Sequence, residues 1–326
     1  MTILFYIKFL LKGGYINSFK KFQKAKSVWI GRNVSIFFDQ PGGNQLISLG
    51  ENVRIGHFSD LSVGTNDTIL IKDHTTLNTH CKIIGDVIIE RYCLLSANIL
   101  ISSGSHYATR YPHLLIRHQD KRVLASEEGM KNHSQPVHIE EDAWIGFGVY
   151  IKQGITIGRG AVVGANSVVL HDIKPYEIVA GSPARKIKSR FEFDPPAKIE
   201  ASTEEHLPYF YRGFDHYRDT TPNLEGISAE IVMWAYEEST IAIPAVSACK
   251  ISVKGFISMP NSFSVKVSVD GSEVGNFEVS ESVFQFNIIY ESPLKSKLNN
   301  HSFINFAIPF EKRLQFGINS IKIEDL

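Results

Sequence analysis

An aliphatic residue stands at every sixth position in Ile71, Leu77, Ile83, Ile89, Leu95 and Ile101, and again in Ile139, Ile145, Ile151, Ile157, Val163 and Val169. A period of six fits neither one face of a helix nor the alternation of a strand, so it marks an internal repeat. Each short turn of chain must put one aliphatic side chain into a narrow common core. Parallel β-helices do this, because each strand hydrogen-bonds to its equivalent in the next coil. Small residues follow the aliphatic ones (Ala97, Gly146, Gly158, Gly164, Ala165), where a chain turning a corner has little room.

The 326 residues suggest two domains, and 43% apolar residues suffice for real cores. The net charge is zero and no Lys/Arg stripe runs through the body of the chain, so nucleic acid is excluded as a partner. Three cysteines, an odd number, argue against a disulfide framework and for a reducing compartment, hence a cytoplasmic location. Cys81 and Cys93 lie inside the repeat and read as small core residues. Residues 1–26 carry six lysines and no acid among aliphatic and aromatic residues. The apolar stretch is too short to span a bilayer and lacks a signal peptide's layout. Two readings remain: a lid over the first open coil, which is favoured, and peripheral contact with the inner face of a membrane.

The repeat begins weakly at Ile30 and Ile36 and defines a β-helix over 28–190, preceded by the capping segment 1–27. It stops over about 102–136, a polar insertion holding His106, His113, His118 and His133. A long loop thrown out of a regular solenoid is usually functional. After the linker at Asp194-Pro195-Pro196 the period disappears. Phe263, Val265, Val267 and Val269 alternate with polar residues, Asp270-Gly271 offers a hairpin turn, and 227–236, 248–257, 283–290 and 303–308 read as further strands. These predict an accessory antiparallel β-sandwich over 198–326, making the whole chain all-β. Tyr209, Phe210, Tyr211, Phe214, His216 and Tyr217 form an aromatic cluster, read as packing between domains in preference to sugar stacking.

The segment Ala143-Trp144-Ile145-Gly146, with Gly158, Gly164-Ala165-Asn166-Ser167 and Ala180-Gly181-Ser182-Pro183-Ala184-Arg185, resembles the hexapeptide-repeat acyltransferases. The likeness is greatest to the branch of galactoside, maltose and surface-polysaccharide O-acetyltransferases, and Asn98 eight positions before His106 also matches it. It covers roughly 28–190. The resemblance implies a left-handed parallel β-helix, a homotrimer with each active site between neighbouring subunits, and acetyl-CoA as cosubstrate. The insertion is longer than in compact galactoside enzymes and the C-terminal domain is an addition, so the acceptor stays undefined.

Acyl transfer needs a base within reach of the nucleophile and a donor aimed at the oxyanion. The family's base maps onto His106, an imidazole able to be neutral near physiological pH. The oxyanion donor maps onto the backbone N–H of Phe147. Trp144 reads either as a cleft residue beside the thioester or as coil packing, and Asn98 either as a group orienting the acceptor hydroxyl or as a corner asparagine. Gly146, Gly164 and Ala165 would let the pantetheine arm approach the backbone; tight corners explain them equally. Arg185 and Lys186 fall where the resemblance puts the cofactor's phosphates, or are a solvated charge pair. The histidine spacings match no standard zinc pattern, so no metal is expected. No cysteine or serine is placed as a nucleophile, which predicts direct transfer without an acyl-enzyme.

Three functions are therefore carried forward. The first is sugar O-acetylation, with a bacterial surface polysaccharide (capsule or lipopolysaccharide) or its precursor as acceptor. The second is N-acetylation of an amino sugar. The third is a non-catalytic glycan-binding or scaffold trimer.

Overall fold

The computed structural model describes residues 21–38, 43–125, 134–215, 219–221, 230–245, 248–257, 262–291, 301–308 and 316–326. Most of the basic N-terminal segment, read above as a lid or membrane contact, lies outside them. Among the described residues no helix is long and apolar enough to cross a membrane. The chain divides into two compact units, Met1–Glu192 and Phe193–Leu326.

The first unit is a parallel β-helix of six coils with three faces. Phe22–Lys24, Trp29–Ile30 and Ser35–Phe38 form the first coil; Leu46–Leu49, Arg54–Ile55 and Asp60–Val63 the second; Thr68–Ile71, Thr76–Leu77 and Lys82–Ile84 the third. Val87–Ile89, Leu94–Leu95 and Leu100–Ser102 form the fourth, Val137–Ile139, Trp144–Ile145 and Tyr150–Ile151 the fifth, and Thr156–Ile157, Val162–Val163 and Val168–Val169 the sixth. Each coil places one strand on each face, in that order. Glu177–Ala180 extends the second face, and Arg185–Ser189 folds back antiparallel upon it.

Three period-six columns explain why these residues form coils. The aliphatic column is the core: all twelve ladder residues named at the outset are 2% exposed or less. Two positions before each ladder residue runs a second buried column of mixed chemistry, including Ser59, Thr75, Cys81, Cys93, Ala143, Ala161 and Ser167. Here small polar groups stitch adjacent coils, as when Ser59 Oγ accepts from the Cys81 N–H at 3.1 Å and Thr75 Oγ1 from the Cys93 N–H at 3.1 Å. Burial pushes both thiols up, Cys81 to about 11, so neither is a ready nucleophile. Three positions before the ladder the backbone turns left-handed, with φ between 56° and 71° at Asn52, Phe58, His74, His80, Tyr92, Asn98, Asp142, Gly148, Gly154, Gly160 and Asn166. Asn, Asp and Gly tolerate that conformation best, so the turns select them.

Ion pairs on the buried carboxylates Glu90 and Glu141 join the fourth coil to its neighbours. Lys72 Nζ lies 2.8 Å from Glu90, His138 Nε2 lies 3.3 Å from Glu90, and Arg91 Nε lies 3.5 Å from Glu141. Burial alone would raise the Glu90 carboxyl, but hydrogen bonds from His138 and Lys72 outweigh it and hold the group down at about 2. A carboxyl depressed in the folded state stabilises that state fully above its unfolded value, and the contribution is lost as pH falls through the folded one. The β-helix is therefore expected to lose on the order of 3 kcal/mol between about pH 4.5 and 2 from this group. Acid titration of stability should show that limb in the native protein and lack it in Glu90→Gln. An unchanged limb in the variant would refute the assignment.

The second unit is antiparallel and two-layered, yet its strands form one continuous hydrogen-bonded path. Ile231–Pro244 makes the link: residues 233–235 pair with Phe316–Asp325, and residues 238–244 pair with His301–Ala307. One layer adds Ala248–Ile257 and Val283–Glu291; the other adds Phe263–Val269 and Ser272–Val279, joined by a turn at Asp270-Gly271. The layers face each other through aromatic rings, with Phe316 6.2 Å from Phe263 and 6.4 Å from Phe306, and Phe277 stacked on Phe286 at 4.5 Å. Of the cluster read as interdomain packing, Phe210 meets Phe214 at 5.2 Å and Tyr211 meets Phe303 at 4.9 Å, both pairs within this unit. His216 and Tyr217 lie outside the described residues.

Candidate active site

The insertion leaves and rejoins the solenoid through a narrow neck where the third face turns into the first. Gly104 bridges to Ser134, the Gln135 N–H donates to the Ser103 carbonyl at 2.8 Å, and the Ser103 and Ser134 hydroxyls lie 2.6 Å apart. Gly85 must be glycine beside this neck, since a Cβ there would meet Ser103 Oγ at 2.0 Å. Beyond the neck the chain is not an open loop: helix α1 spans Ile116–Leu124. Periodicity missed it because its buried face is Gln119 and Val123, one of them polar.

Gln119 and Asp120, adjacent on α1, organise the segment. The buried Gln119 amide donates to the Ala108 and Leu114 carbonyls at 3.2 and 3.1 Å, and its oxygen accepts from the Tyr111 N–H at 3.0 Å. Asp120 accepts from the Tyr107 N–H at 2.8 Å through one oxygen and lies 2.7 Å from His106 Nδ1 through the other. An ionised carboxylate only accepts, so in the neutral imidazole the proton belongs on Nδ1 and Nε2 carries the lone pair. The His106 side chain is 81% exposed, which turns that lone pair toward whatever approaches from outside. A held, outward-facing imidazole nitrogen has the geometry that a general base requires. Asp120 is the partner of His106 that sequence reasoning missed; an acid within a turn or two of helix after the histidine was the available signal.

The remaining candidates lie elsewhere, on the second face and at its turn into the third. Trp144 is exposed beside Leu94 on the outside of the second face, not packed within a coil. Phe147 is exposed at the next turn. The N–H groups on either side of it are spent on neighbouring coils, Gly146 to Val163 O at 2.8 Å and Gly148 to Ala97 O at 3.0 Å. Among the described residues the Phe147 N–H donates to nothing, while its carbonyl accepts from Asn166 at 2.7 Å. Asn98 occupies the left-handed position of the same turn one coil earlier, with φ 60° and its N–H on Thr79 O.

Coil stacking accounts for two of the glycines: a Cβ on Gly146 would meet Val163 O and Ala165 N at 2.7 Å, and one on Gly164 would meet the Ala180 Cβ at 2.8 Å. Lys186 pairs with Glu177 at 3.1 Å, whereas the exposed Arg185 reaches only its neighbour's carbonyl at 3.1 Å. Among the described residues no group of histidines, cysteines or acids could hold a metal ion, and His133 lies outside them.

His106 is not brought together with Phe147 within one chain. His106 follows the end of the third face, and Phe147 precedes that face one coil later, so a face of three to four residues, roughly 10 Å wide, separates them.

A parallel β-helix carrying a held histidine at one corner and an unspent backbone donor at another defines an acyl-transfer scaffold. Residues 136–171 match the family described as bacterial transferase hexapeptide, six repeats. The chain is 32% identical over 166 residues to the dTDP-4-amino-4,6-dideoxy-D-glucose acyltransferase of Escherichia coli, covering 49% of this chain and 81% of that one. It is 29% identical over 164 residues to a chloramphenicol acetyltransferase of Morganella morganii, covering 48% and 77%. Among solved structures, an N-acyltransferase from Bacillus cereus in complex with dTDP-4-amino-4,6-dideoxyglucose and coenzyme A superposes with a TM-score of 0.41 at 22% identity, over 57% of this chain and 90% of that one. The chain belongs to the hexapeptide-repeat acyltransferase family.

Proposed function

We propose that the protein transfers an acetyl group from acetyl-CoA to a sugar hydroxyl, in a bacterial surface polysaccharide or its precursor, at sites formed between the subunits of a homotrimer. The Asp120–His106 pair carries this reading. A hydroxyl must lose its proton as it attacks, whereas a neutral amine can attack first and shed a proton afterwards. A base held with its lone pair outward therefore suits a hydroxyl acceptor.

His106 Nε2 takes the hydroxyl proton while the oxygen adds to the thioester carbonyl. The Phe147 N–H of a neighbouring subunit holds the resulting oxyanion. Collapse breaks the carbon–sulfur bond, and His106 returns its proton to the departing thiolate, giving ester and free thiol. Asp120 keeps the ring oriented and stabilises the imidazolium between these steps. Trp144 and Asn98 line the place where donor and acceptor meet, and Arg185 receives the donor's phosphates.

A second reading, acylation of a nucleotide-linked amino sugar, is favoured by the similarity to the Escherichia coli acyltransferase. Thiol release from acetyl-CoA separates the two, measured across capsule and O-chain fragments, simple glycosides and dTDP-linked amino sugars. The expected result is turnover on hydroxyl acceptors. Turnover confined to the amino sugars would overturn it in favour of the second reading.

A further inference from the structure

The edge between the second and third faces continues past Asn98 toward the first coil and changes character there. In the second and third coils it carries His57, Phe58 and His80, with Trp29 of the first coil exposed beside it on the second face. Trp29 is 43% exposed, with the Arg54 guanidinium 5.4 Å from its ring centre and His57 meeting it edge-on at 5.4 Å. Phe58 is 51% exposed and stacks on His80 at 5.1 Å with an interplanar angle of 18°. His57 Nδ1 accepts from the Arg32 N–H at 2.6 Å, which leaves its Nε2–H as a donor directed elsewhere.

Of the Phe and Tyr side chains in left-handed turns among the described residues, Phe58, Tyr92 and Tyr176, only Phe58 is exposed. It occupies the left-handed turn position with φ 60°, where Asn33, Asn98 and Asn166 stand at the same edge of other coils. A bulky side chain there is strained, and this one does not recover the cost by burial. A strained aromatic ring kept at the surface points to a ligand.

We propose that this edge is an acceptor subsite that holds the sugars flanking the modified one, so that the protein acts on an oligosaccharide or longer glycan. The inference rests on the acyl-transfer reading above. The residues assigned to the donor, Gly146, Gly164, Ala165 and Arg185, run from Phe147 toward the last coils, which leaves the opposite direction to the acceptor. Phe58 stands two coils from Asn98 and Trp29 three, about 10 and 14 Å at the spacing of hydrogen-bonded strands. A single sugar seated at Asn98 does not extend that far; a chain does. Flat aromatic faces flanked by N–H donors suit sugar rings, which present C–H faces and a rim of hydroxyls.

The test compares kcat/KM on size-fractionated capsule and O-chain fragments of one to six sugars. Phe58→Asn installs the residue the turn prefers, so the variant should melt no lower than the native protein. Its advantage for six sugars over one should fall by about five- to tenfold. Trp29→Ala should act in the same direction, and Phe37→Ser, an exposed aromatic on the third face, should leave the ratio alone. A ratio preserved in both Phe58→Asn and Trp29→Ala overturns the proposal, as does dTDP displacing the fragments from the native edge but not from the variants, which would make it a nucleotide site. If no fragment is turned over while coenzyme A still binds, the catalytic reading fails. Quenching of tryptophan fluorescence by the fragments then decides the edge separately: quenching lost in Phe58→Asn supports it, and no quenching overturns it.

Discussion

Replacing His106 by alanine is expected to lower kcat by about 10²- to 10⁴-fold on any acceptor the native protein acetylates, with little change in coenzyme A affinity. The buried thiols, the other nucleophile candidates, are held protonated. Asp120→Asn should fall between the native protein and His106→Ala. The amide still fills the space, but it no longer neutralises the imidazolium and can hold the ring in the wrong tautomer. The loss should appear in kcat more than in KM, because Asp120 meets the substrate only through His106. Steady-state thiol release measures both. Full activity in His106→Ala would remove the histidine from the mechanism, and a pure KM effect in Asp120→Asn would reduce the aspartate to a packing role.

Mixing two inactive variants should restore activity. Phe147→Pro removes the proposed oxyanion donor, since proline has no N–H, and is expected to cost about 10²- to 10³-fold. Its chain still supplies His106, while a His106→Ala chain still supplies the Phe147 N–H. If each site takes one residue from each of two neighbours, random reassembly of the two variants yields about one intact site in four. Activity near a quarter of native after co-refolding supports the shared site, and no recovery would place both residues in a single chain. A fold check on Phe147→Pro alone, by circular dichroism and gel filtration, keeps the result interpretable.

The aliphatic column was legible because one chemistry repeats without interruption. The buried column two residues ahead of it was not, since Ser59, Thr75, Cys81, Ala143 and Val149 share small size and burial but not hydropathy. Left-handed turns were hidden for a related reason: where Phe58 and Tyr92 stand in for asparagine, composition offers no hint. In the site, His106 was reached through resemblance, and its distance from Phe147 emerged only from the order of strands around the coils. Asp120 lay 14 residues away in a segment without period, and only a helix brings it back. In the C-terminal unit the strand Phe316–Asp325 escaped notice because a bulge opposite Lys254/Gly255 breaks its alternation.

The narrow neck at Gly104 and Ser134 also bears on how the solenoid comes together. Elsewhere successive coils join across short separations, as from Ile69 to Val87, whereas Val87 must find Val137 across fifty residues. Closing that larger loop costs about 1 kcal/mol more in chain entropy. The junction of the fourth and fifth coils thus carries the larger closure cost, and the pairs Glu90–His138 and Arg91–Glu141 lie across it. Asn98 lies on one side of this seam and Trp144 and Phe147 on the other. A molecule gripped by both sides clasps the two halves of the solenoid, so the proposed site is seated where the framework has most to gain from being occupied.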